Sequence, residues 1–401
     1  MSTSILYHAF GSRGIEYRAT RFEGEYIVFE AEMTTHNIPC PACNNEKVIF
    51  KGNKWREFLM PTIGRKRCLL HLLLHRVRCT KCNHLWWPRL SFMLGKHTYV
   101  RSFALQVMDL LKMGTIQDVA NFMRTGWDII KNIHKMKLKS MYKSRPLKRV
   151  KYLGVDEFAI RKGHSYMTIF VDLKDGRIIH AVEGKSKDDI RPFLKRLKQH
   201  ARKLKAIAMD MSASYFWAVR EILPDVDVVF DRFHVMNLMS KAIDSFRREY
   251  QRTMSHEGRK LLKGSRFLLL GNYENLDADK RSRLDELLKL NEPLATMHIM
   301  KEQLRLFWDQ KDRKSAESFL KDWCFDAMNS GITHLAKVAR TLMSYRTGIL
   351  TYFDHKITNG PVEGLVNKIK TLKRQAYGYR DMEYFKLRLY HLHCQRYSLA
   401  G

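Results

Sequence analysis

The spacing of apolar positions divides the chain into stretches of different kind. In the first hundred residues, "KVIFKG" and "LLHLLLHRVRC" read as strands. From Tyr99 onward the period becomes helical, with Phe103, Val107, Leu110 and Leu111 on one face. Gly114 breaks that helix. Thr115 then supplies an N-cap with Asp118 three residues on, and Val119, Ala120 and Phe122 follow. Gly126 allows a turn, and a third helix runs from about Trp127 to Lys137. Helix, short glycine turn, helix is the pattern of a helix-turn-helix.

After "KSRPLKRV", which reads as a basic linker, the pattern changes to strands: "YLGVDEFAI" (152–160), "SYMTIFVDL" (165–173) and "RIIHAVEG" (177–184). The "KDG" between the last two is a hairpin signal. An amphipathic helix follows, with Pro192 near its first turn. Then come a short buried strand "AIAMDM" (206–211), a helix ended by Pro224, a strand "VDVVFD" (226–231) and a long helix from Arg232. This order predicts a mixed α/β sheet covered by helices. Farther on, "RSRLDELLKL", "ATMHIMKEQLRLFWDQ" and "SAESFLKDWCFDAM" are helix-like, and no strand run competes. In "TNGPVEGLVNKIKTLKRQAYGYR" (358–380), Asn359-Gly360-Pro361 starts a helix. Its buried stripe is Val362, Leu365, Val366, Ile369 and Leu372; Lys368, Lys370, Lys373 and Arg374 cover the rest.

With 401 residues, the chain exceeds what one core usually serves, so two to four domains are expected. The charge narrows the partner: 72 Lys+Arg against 41 Asp+Glu give +31, which favours nucleic acid or an anionic membrane surface. No run of about 18 apolar residues exists, and the N-terminus lacks the pattern of a signal peptide. A cytoplasmic protein that meets DNA or RNA is therefore expected, with its seven cysteines as thiols or metal ligands rather than disulfides. From Lys47 to Arg101 there are 13 Lys/Arg and one acid, Glu57, with Trp86 and Trp87 in the same span. That mixture suits phosphate contact and base stacking, or, for the two tryptophans, a small domain's core.

Two sets of residues carry candidate chemistry. Cys40 and Cys43, in "CPAC", and Cys79 and Cys82, in "CTKC", are two tight pairs that suit one tetrahedral, structural Zn²⁺. The 35 residues between the pairs have room for a strand hairpin; His84, Cys68 and His71 are spare ligands. The second set is acidic. Asp156 and Glu157 end the apolar half of a strand, and Asp210 ends another. If those strands are neighbours, two carboxylates converge, and oxygen ligands of this kind suit Mg²⁺ or Mn²⁺. Glu363, in the first turn of the basic helix, is either a dipole-compensating acid or a third ligand.

Together, "GVDEFAIRKGHSYMTIFVDL", "AIAMDMSASY", "VVFDRFHVMN" and "TNGPVEGLVNKIKTLKRQAYGYR" resemble the bacterial insertion-sequence transposases of the DDE class known as the ISL3 family, over nearly the whole chain. The resemblance implies a zinc-binding DNA-binding domain (1–95), a helix-turn-helix (96–148) and a ribonuclease-H-like catalytic core (149–239 and 357–401) interrupted by a helical insertion (240–356). It implies a metal-holding catalytic triad of Asp156, Asp210 and Glu363, with Asp231 and His234 of "DRFH" as possible accessories. Glu157 and Asp172 are further acids of the same sheet. Arg161, Lys162, Lys368, Lys370, Lys373 and Arg374 are implied DNA contacts. Trp308 and Trp323 read as helical core or as base-stacking rings. The implied partners are the element's terminal inverted repeats and target DNA, held by a homodimer or larger assembly at the bacterial nucleoid. The implied chemistry is metal-dependent cleavage of the element's ends and their transfer to new DNA. Two alternatives stand beside it: a nuclease of the same fold that hydrolyses without joining, and a transposase-derived DNA-binding regulator.

Overall fold

In the computed structural model, which describes residues 4–34, 38–161, 163, 165–254, 256, 259 and 262–394, two β-hairpins come first rather than one. A short helix α1 (Ile5–His8) leads into β1 (Ile15–Glu23) and β2 (Tyr26–Met33), an antiparallel pair turned at Gly24. The apolar pattern gave no sign of this pair. Most of β1 is exposed, so it lacks the alternation that a half-buried strand shows. The second hairpin, β3 (Val48–Ile63) and β4 (Lys66–Cys79), is much longer than "KVIFKG" implies, because two register shifts let it bend and continue. The sheet order is β1-β2-β4-β3, with the two-residue β5 (Leu85–Trp86) also paired to β4.

One face of this sheet buries Phe58, Met60, Leu70, Leu72 and Leu74 against three helices, α2 (Arg101–Leu110), α3 (Ile116–Phe122) and α4 (Trp127–Met141). Phe103, Val107, Val119, Ala120, Ile130 and Ile133 are their contributions. The cap of α3 is reciprocal: the Asp118 N–H donates to Thr115 Oγ1 at 3.2 Å, and the Thr115 N–H donates to the Asp118 carboxylate at 2.9 Å. These elements make one unit, up to Lys143.

Ser144–His393 make the second unit. Its sheet consists of β6 (Tyr152–Ala159), β7 (Tyr166–Asp172), β8 (Arg177–Glu183), β9 (Ala206–Met209) and β10 (Asp227–Phe230), in the order β10-β9-β6-β7-β8. β6, β7 and β8 are antiparallel; β9 and β10 join β6 in parallel. Helices α5 (Lys187–His200) and α6 (Ala213–Ile222) cover the face that carries Leu153 and Val155. α7 (Arg232–Thr253), α8 (Arg266–Leu270), α9 (Ala278–Lys289), α10 (Glu292–Leu306), α11 (Arg313–Asn329), α12 (Thr333–Ser344), α13 (Arg346–Leu350) and α14 (Tyr352–His355) then pass before the chain returns to the sheet. Their core is continuous with that of the sheet and includes Trp308 and Trp323; the Trp323 Nε1–H donates to Met300 O at 2.9 Å. Both tryptophans are core, not stacking surfaces. α15 (Gly360–Gln375) and α16 (Met382–His391) close the other face.

"KSRPLKRV" is not a free linker. Leu147 and Val150 are buried in the second core, and the Arg145 Nε–H donates to Ile179 O at 3.0 Å. Apolar residues at a spacing of three in a basic stretch were enough to dock it.

Candidate metal centres

The first centre lies at the open end of the β3–β4 hairpin. Each cysteine pair is followed by an asparagine in the left-handed region, Asn44 at φ 57° and Asn83 at φ 58°. The Asn44 N–H donates to Cys40 O at 2.8 Å and the Asn83 N–H to Cys79 O at 3.1 Å, so both pairs form the same tight knuckle. Asparagine tolerates this conformation better than most residues. The hairpin carries Cys79 back beside Cys43, and all four sulfurs lie within 4.8 Å of one another.

The sulfur spacing is informative. Cys40 and Cys82 are 3.6 Å apart, and Cys43 and Cys79 are 3.5 Å apart. A disulfide would need about 2.05 Å. Thiolates around zinc at about 2.3 Å stand roughly 3.8 Å from one another. The thiols also perturb each other. Burial resists ionisation of Cys79, yet N–H groups of Cys82, Asn45 and Lys81 bring it down to about 6. The His84 N–H favours the Cys82 thiolate, but Cys43, Cys40 and Cys79 outweigh it and push Cys82 up to about 12. The four sulfurs are close enough together to hold one metal ion between them. His84, Cys68 and His71 stand outside the cluster: His84 stacks on Trp86, His71 packs on Trp55, and Cys68 is buried in the core.

The second centre grows from sheet register. β6 pairs with β9 through Tyr152–Ala206, Leu153–Ile207 and Gly154–Ala208. Asp156 and Asp210 each lie two residues beyond the last of these pairs. They therefore stand at one level on adjacent parallel strands, which run about 4.8 Å apart. Burial pushes the Asp156 carboxyl up to about 6, and the charge of Asp210 adds to that; the Glu157 N–H, 2.7 Å from Asp156 Oδ1, works the other way.

His234 projects from the first turn of α7 and brings Nε2 to 2.7 Å from Asp210 Oδ1. Burial alone would lower the His234 pKa, but Asp210, Asp231 and Asp156 outweigh it and hold it above the ordinary value. Asp231 is buried and caps α7, its side chain accepting from the Phe233 N–H. Burial raises its pKa, and the Asn359 N–H opposes that shift. Asp231, at the start of α7, thus also faces the start of α15.

Gly154 decides how close α15 comes. A Cβ there would meet Val362 Cγ2 at 2.3 Å and Asn359 Oδ1 at 2.8 Å. The Asn359 Nδ2–H donates to Val155 O at 3.0 Å, and at the far end Lys373 Nζ donates to Ala159 O at 2.6 Å. From Val362 to Lys373 the helix rises about 17 Å, and from Gly154 to Ala159 the strand advances about 17 Å, so α15 runs along β6. Glu363 is exposed in its first turn, on the side of the sheet that carries Asp156. Asp156 lies roughly 7 Å along the strand from Gly154 and Glu363 about 1.5 Å along the helix from Val362, so the glutamate sits about one helical turn short of Asp156. Among the described residues, the four cysteines alone form a group of three or more metal-ligand atoms within 4.8 Å of one another. Asp156, Asp210 and Glu363 are not gathered that tightly.

The remaining candidates separate by position. Lys368, Lys370 and Arg374 are exposed on α15, and Arg161 is exposed at the end of β6. Lys373 is fastened to the backbone instead, and Lys162 lies outside the described residues. Glu157 points to the opposite face, toward the buried Tyr215 hydroxyl, which itself lies 2.9 Å from Thr168 Oγ1. Asp172 accepts from the Lys174 N–H at 3.0 Å and serves the hairpin turn. The approach of Asn359 to Asp231 had no signal in the sequence beyond the residues themselves.

The chain matches the family model DDE_Tnp_ISL3, described as a transposase, over residues 153–389. It is 34% identical over 328 residues to the transposase for insertion sequence element IS1001 of Bordetella parapertussis, covering 80% of each chain. It is 26% identical over 253 residues, 57% of each chain, to the transposase for insertion sequence element IS1557 of Mycobacterium tuberculosis. Among solved structures, a chain of the Drosophila P element transposase strand transfer complex aligns with 74% of this chain and 92% of its own, at 11% identity and a TM-score of 0.38, a level that transfers neither fold nor chemistry. No helix among the described residues is long and apolar enough to cross a membrane.

Proposed function

Because the chain belongs to the ISL3 family of insertion-sequence transposases, we propose that it binds its element's terminal inverted repeats, cuts the ends and joins them to target DNA. The observation that carries this reading is Asp156 and Asp210 at one level on neighbouring parallel strands, with Asp156 held up at about 6. A sheet of three antiparallel strands extended by two parallel ones supports a ribonuclease-H-like core in 149–239 and 357–401, interrupted by the helical insertion 240–356. The first unit supplies DNA reading, through a zinc module in 1–95 and a helix-turn-helix in 96–148.

The carboxylates fit a hard divalent cation, since they are oxygen donors that carry more negative charge than their neighbours offset. Asp156, Asp210 and Glu363 would hold Mg²⁺ or Mn²⁺. When bound, such ions activate an attacking hydroxyl and neutralise charge at the leaving oxygen. The chain's own groups do the positioning. His234 fixes the rotamer of Asp210 through its 2.7 Å contact. Asp231 and Asn359 set where α15, and with it Glu363, meets the sheet. Arg161, Lys162, Lys368, Lys370 and Arg374 hold phosphates, while Lys373 keeps α15 on β6. The four cysteines would hold one Zn²⁺ as a structural ion. Two ends held together call for a homodimer or larger assembly on DNA.

The test is Mg²⁺-dependent cleavage of a labelled fragment carrying the element's end, wild type against Asp156→Asn. Wild type should cut and join; the variant should bind equally and lose about a thousandfold or more in rate. Equal cutting by the variant would remove Asp156 from the site. Cutting without joining would make the protein a nuclease, and binding without cutting by either would make it a regulator.

A further inference from the structure

Five non-glycine residues among those described have positive φ: Asn44, Asn83, Arg124, Lys356 and Tyr377. Tyr377 is the one aromatic side chain of the five, at φ 49° directly after α15, where a helix ordinarily ends on glycine. The turn is well defined, because the Tyr377 N–H donates to Arg374 O at 3.0 Å and the Gly378 N–H to Lys373 O at 3.0 Å. Glycine at 377 would make the same turn without a crowded Cβ, so the tyrosine carries backbone strain. Burial does not offset it. The Tyr377 ring is fully exposed, whereas Tyr379 stacks on Phe385 at 4.5 Å. Lys370, Arg374 and Arg380, seven, three and three residues from Tyr377 along the chain, are exposed as well.

The turn is also anchored toward the acids. Lys373 Nζ holds Ala159 O at 2.6 Å, three residues past Asp156 on the same strand. From strand advance and helix rise, the ring stands on the order of 20 Å from Asp156, or about six base pairs of duplex.

We propose that Tyr377 is a DNA contact whose ring stacks on a base unstacked from the duplex within about six base pairs of the cut, while Lys370, Arg374 and Arg380 hold the flanking phosphates. A strained, solvent-facing aromatic flanked in the chain by exposed cations suits an unstacked nucleotide, whose base offers a π-face to the ring and whose neighbouring phosphates suit the cations. The proposal rests on the reading of this protein as a transposase that engages its element's ends, but it requires only binding.

The experiment uses the full chain and end-carrying duplexes with 2-aminopurine placed in turn at each of eight positions on either side of the cut. Ca²⁺ replaces Mg²⁺ so that strands stay intact. Wild type should change the fluorescence at one or two adjacent positions. Tyr377→Gly should abolish that change and weaken binding by about tenfold, the scale of one lost stacking contact. The same variant should melt at the wild-type temperature or above, since its strain is relieved, so misfolding cannot mimic the result. Tyr377→Phe should behave as wild type. Unchanged fluorescence and affinity in Tyr377→Gly overturn the proposal. So does loss of both in Tyr377→Phe, which would assign the contact to the hydroxyl, or a change in oligomeric mass alone, which would assign the ring to a second copy. Failure of Asp156-dependent cleavage strikes the transposase chemistry and leaves this binding result standing.

Discussion

The thiolate cluster and the carboxylate site solve one problem, bringing like-charged ligands together, at opposite ranges of the chain. The thiolates come from two five-residue knuckles on one hairpin, and their sulfurs already stand within 4.8 Å of one another. The acids come from β6, the end of β9 and the first turn of α15, and they are brought to one side of a sheet without being gathered to that distance. A tight set of soft ligands suits an ion that stays; a looser set of hard ligands suits ions that arrive with phosphate oxygens. Local turns fix the first centre, and tertiary packing fixes the second.

That contrast makes the two centres separately breakable. The largest effect should come from Cys79→Ser, which removes one ligand from the proposed Zn²⁺ site, since structural zinc binding is typically worth on the order of 10 kcal/mol. Zinc content should fall from one per chain to none, and calorimetry should lose the transition of the first unit while keeping that of the second. A shift of both transitions would mean that the knuckle is not a local device. Gly154→Ala acts only on the long-range side. Its Cβ, 2.3 Å from Val362 Cγ2, should force α15 outward at a cost of about 3 kcal/mol, lowering the melting temperature of the second unit and its cleavage rate together. Unaltered melting would show that α15 approaches β6 less closely than described.

Acid offers a milder probe of the same unit. Burial, then Arg145, Arg196 and Lys386, bring His180 down to about 4, while the unfolded chain protonates it near 6.5. The stabilising difference is complete above about 6.5 and is lost as pH falls toward 4, so going from 6.5 to 5 should cost about 2 kcal/mol. His180→Phe keeps a ring against Phe193, where the imidazole now stacks at 4.1 Å, and should flatten that slope in urea unfolding at a series of pH values. The smallest effect is expected for Asn359→Ala. Losing the bond to Val155 O should cost about 1 kcal/mol, and cleavage should suffer more than stability because the start of α15 carries Glu363.

What the sequence made legible follows the same division. Cys40, Cys43, Cys79 and Cys82 could be read as one set because residue type and spacing carry the whole signal. The helices from Arg101 to Met141 and the strands of the second unit were legible from period and caps such as Thr115 and Asp118. The hairpin of β1 and β2 was not, since exposed charged positions erase the alternation. The neighbouring of β6 and β9 could only be posed as a condition, because strand order is a long-range pairing that no local pattern encodes. The 2.7 Å contact of His234 with Asp210 is invisible for the same reason, although residue type marks both as candidates. Gly154 looked like any strand glycine until Val362, 208 positions away in the sequence, arrived above it.

The late position of α15 has a consequence in time. Chains grow from the N-terminus at about 5–20 residues per second, so roughly 10–40 s separate the completion of the first unit at Lys143 from the arrival of α15 at Gly360. Throughout that interval the nascent molecule has its cysteine knuckles and the three helices α2, α3 and α4 but lacks the helix that bears Glu363. On the proposed reading, each copy would spend its early existence able to hold nucleic acid and unable to sever it.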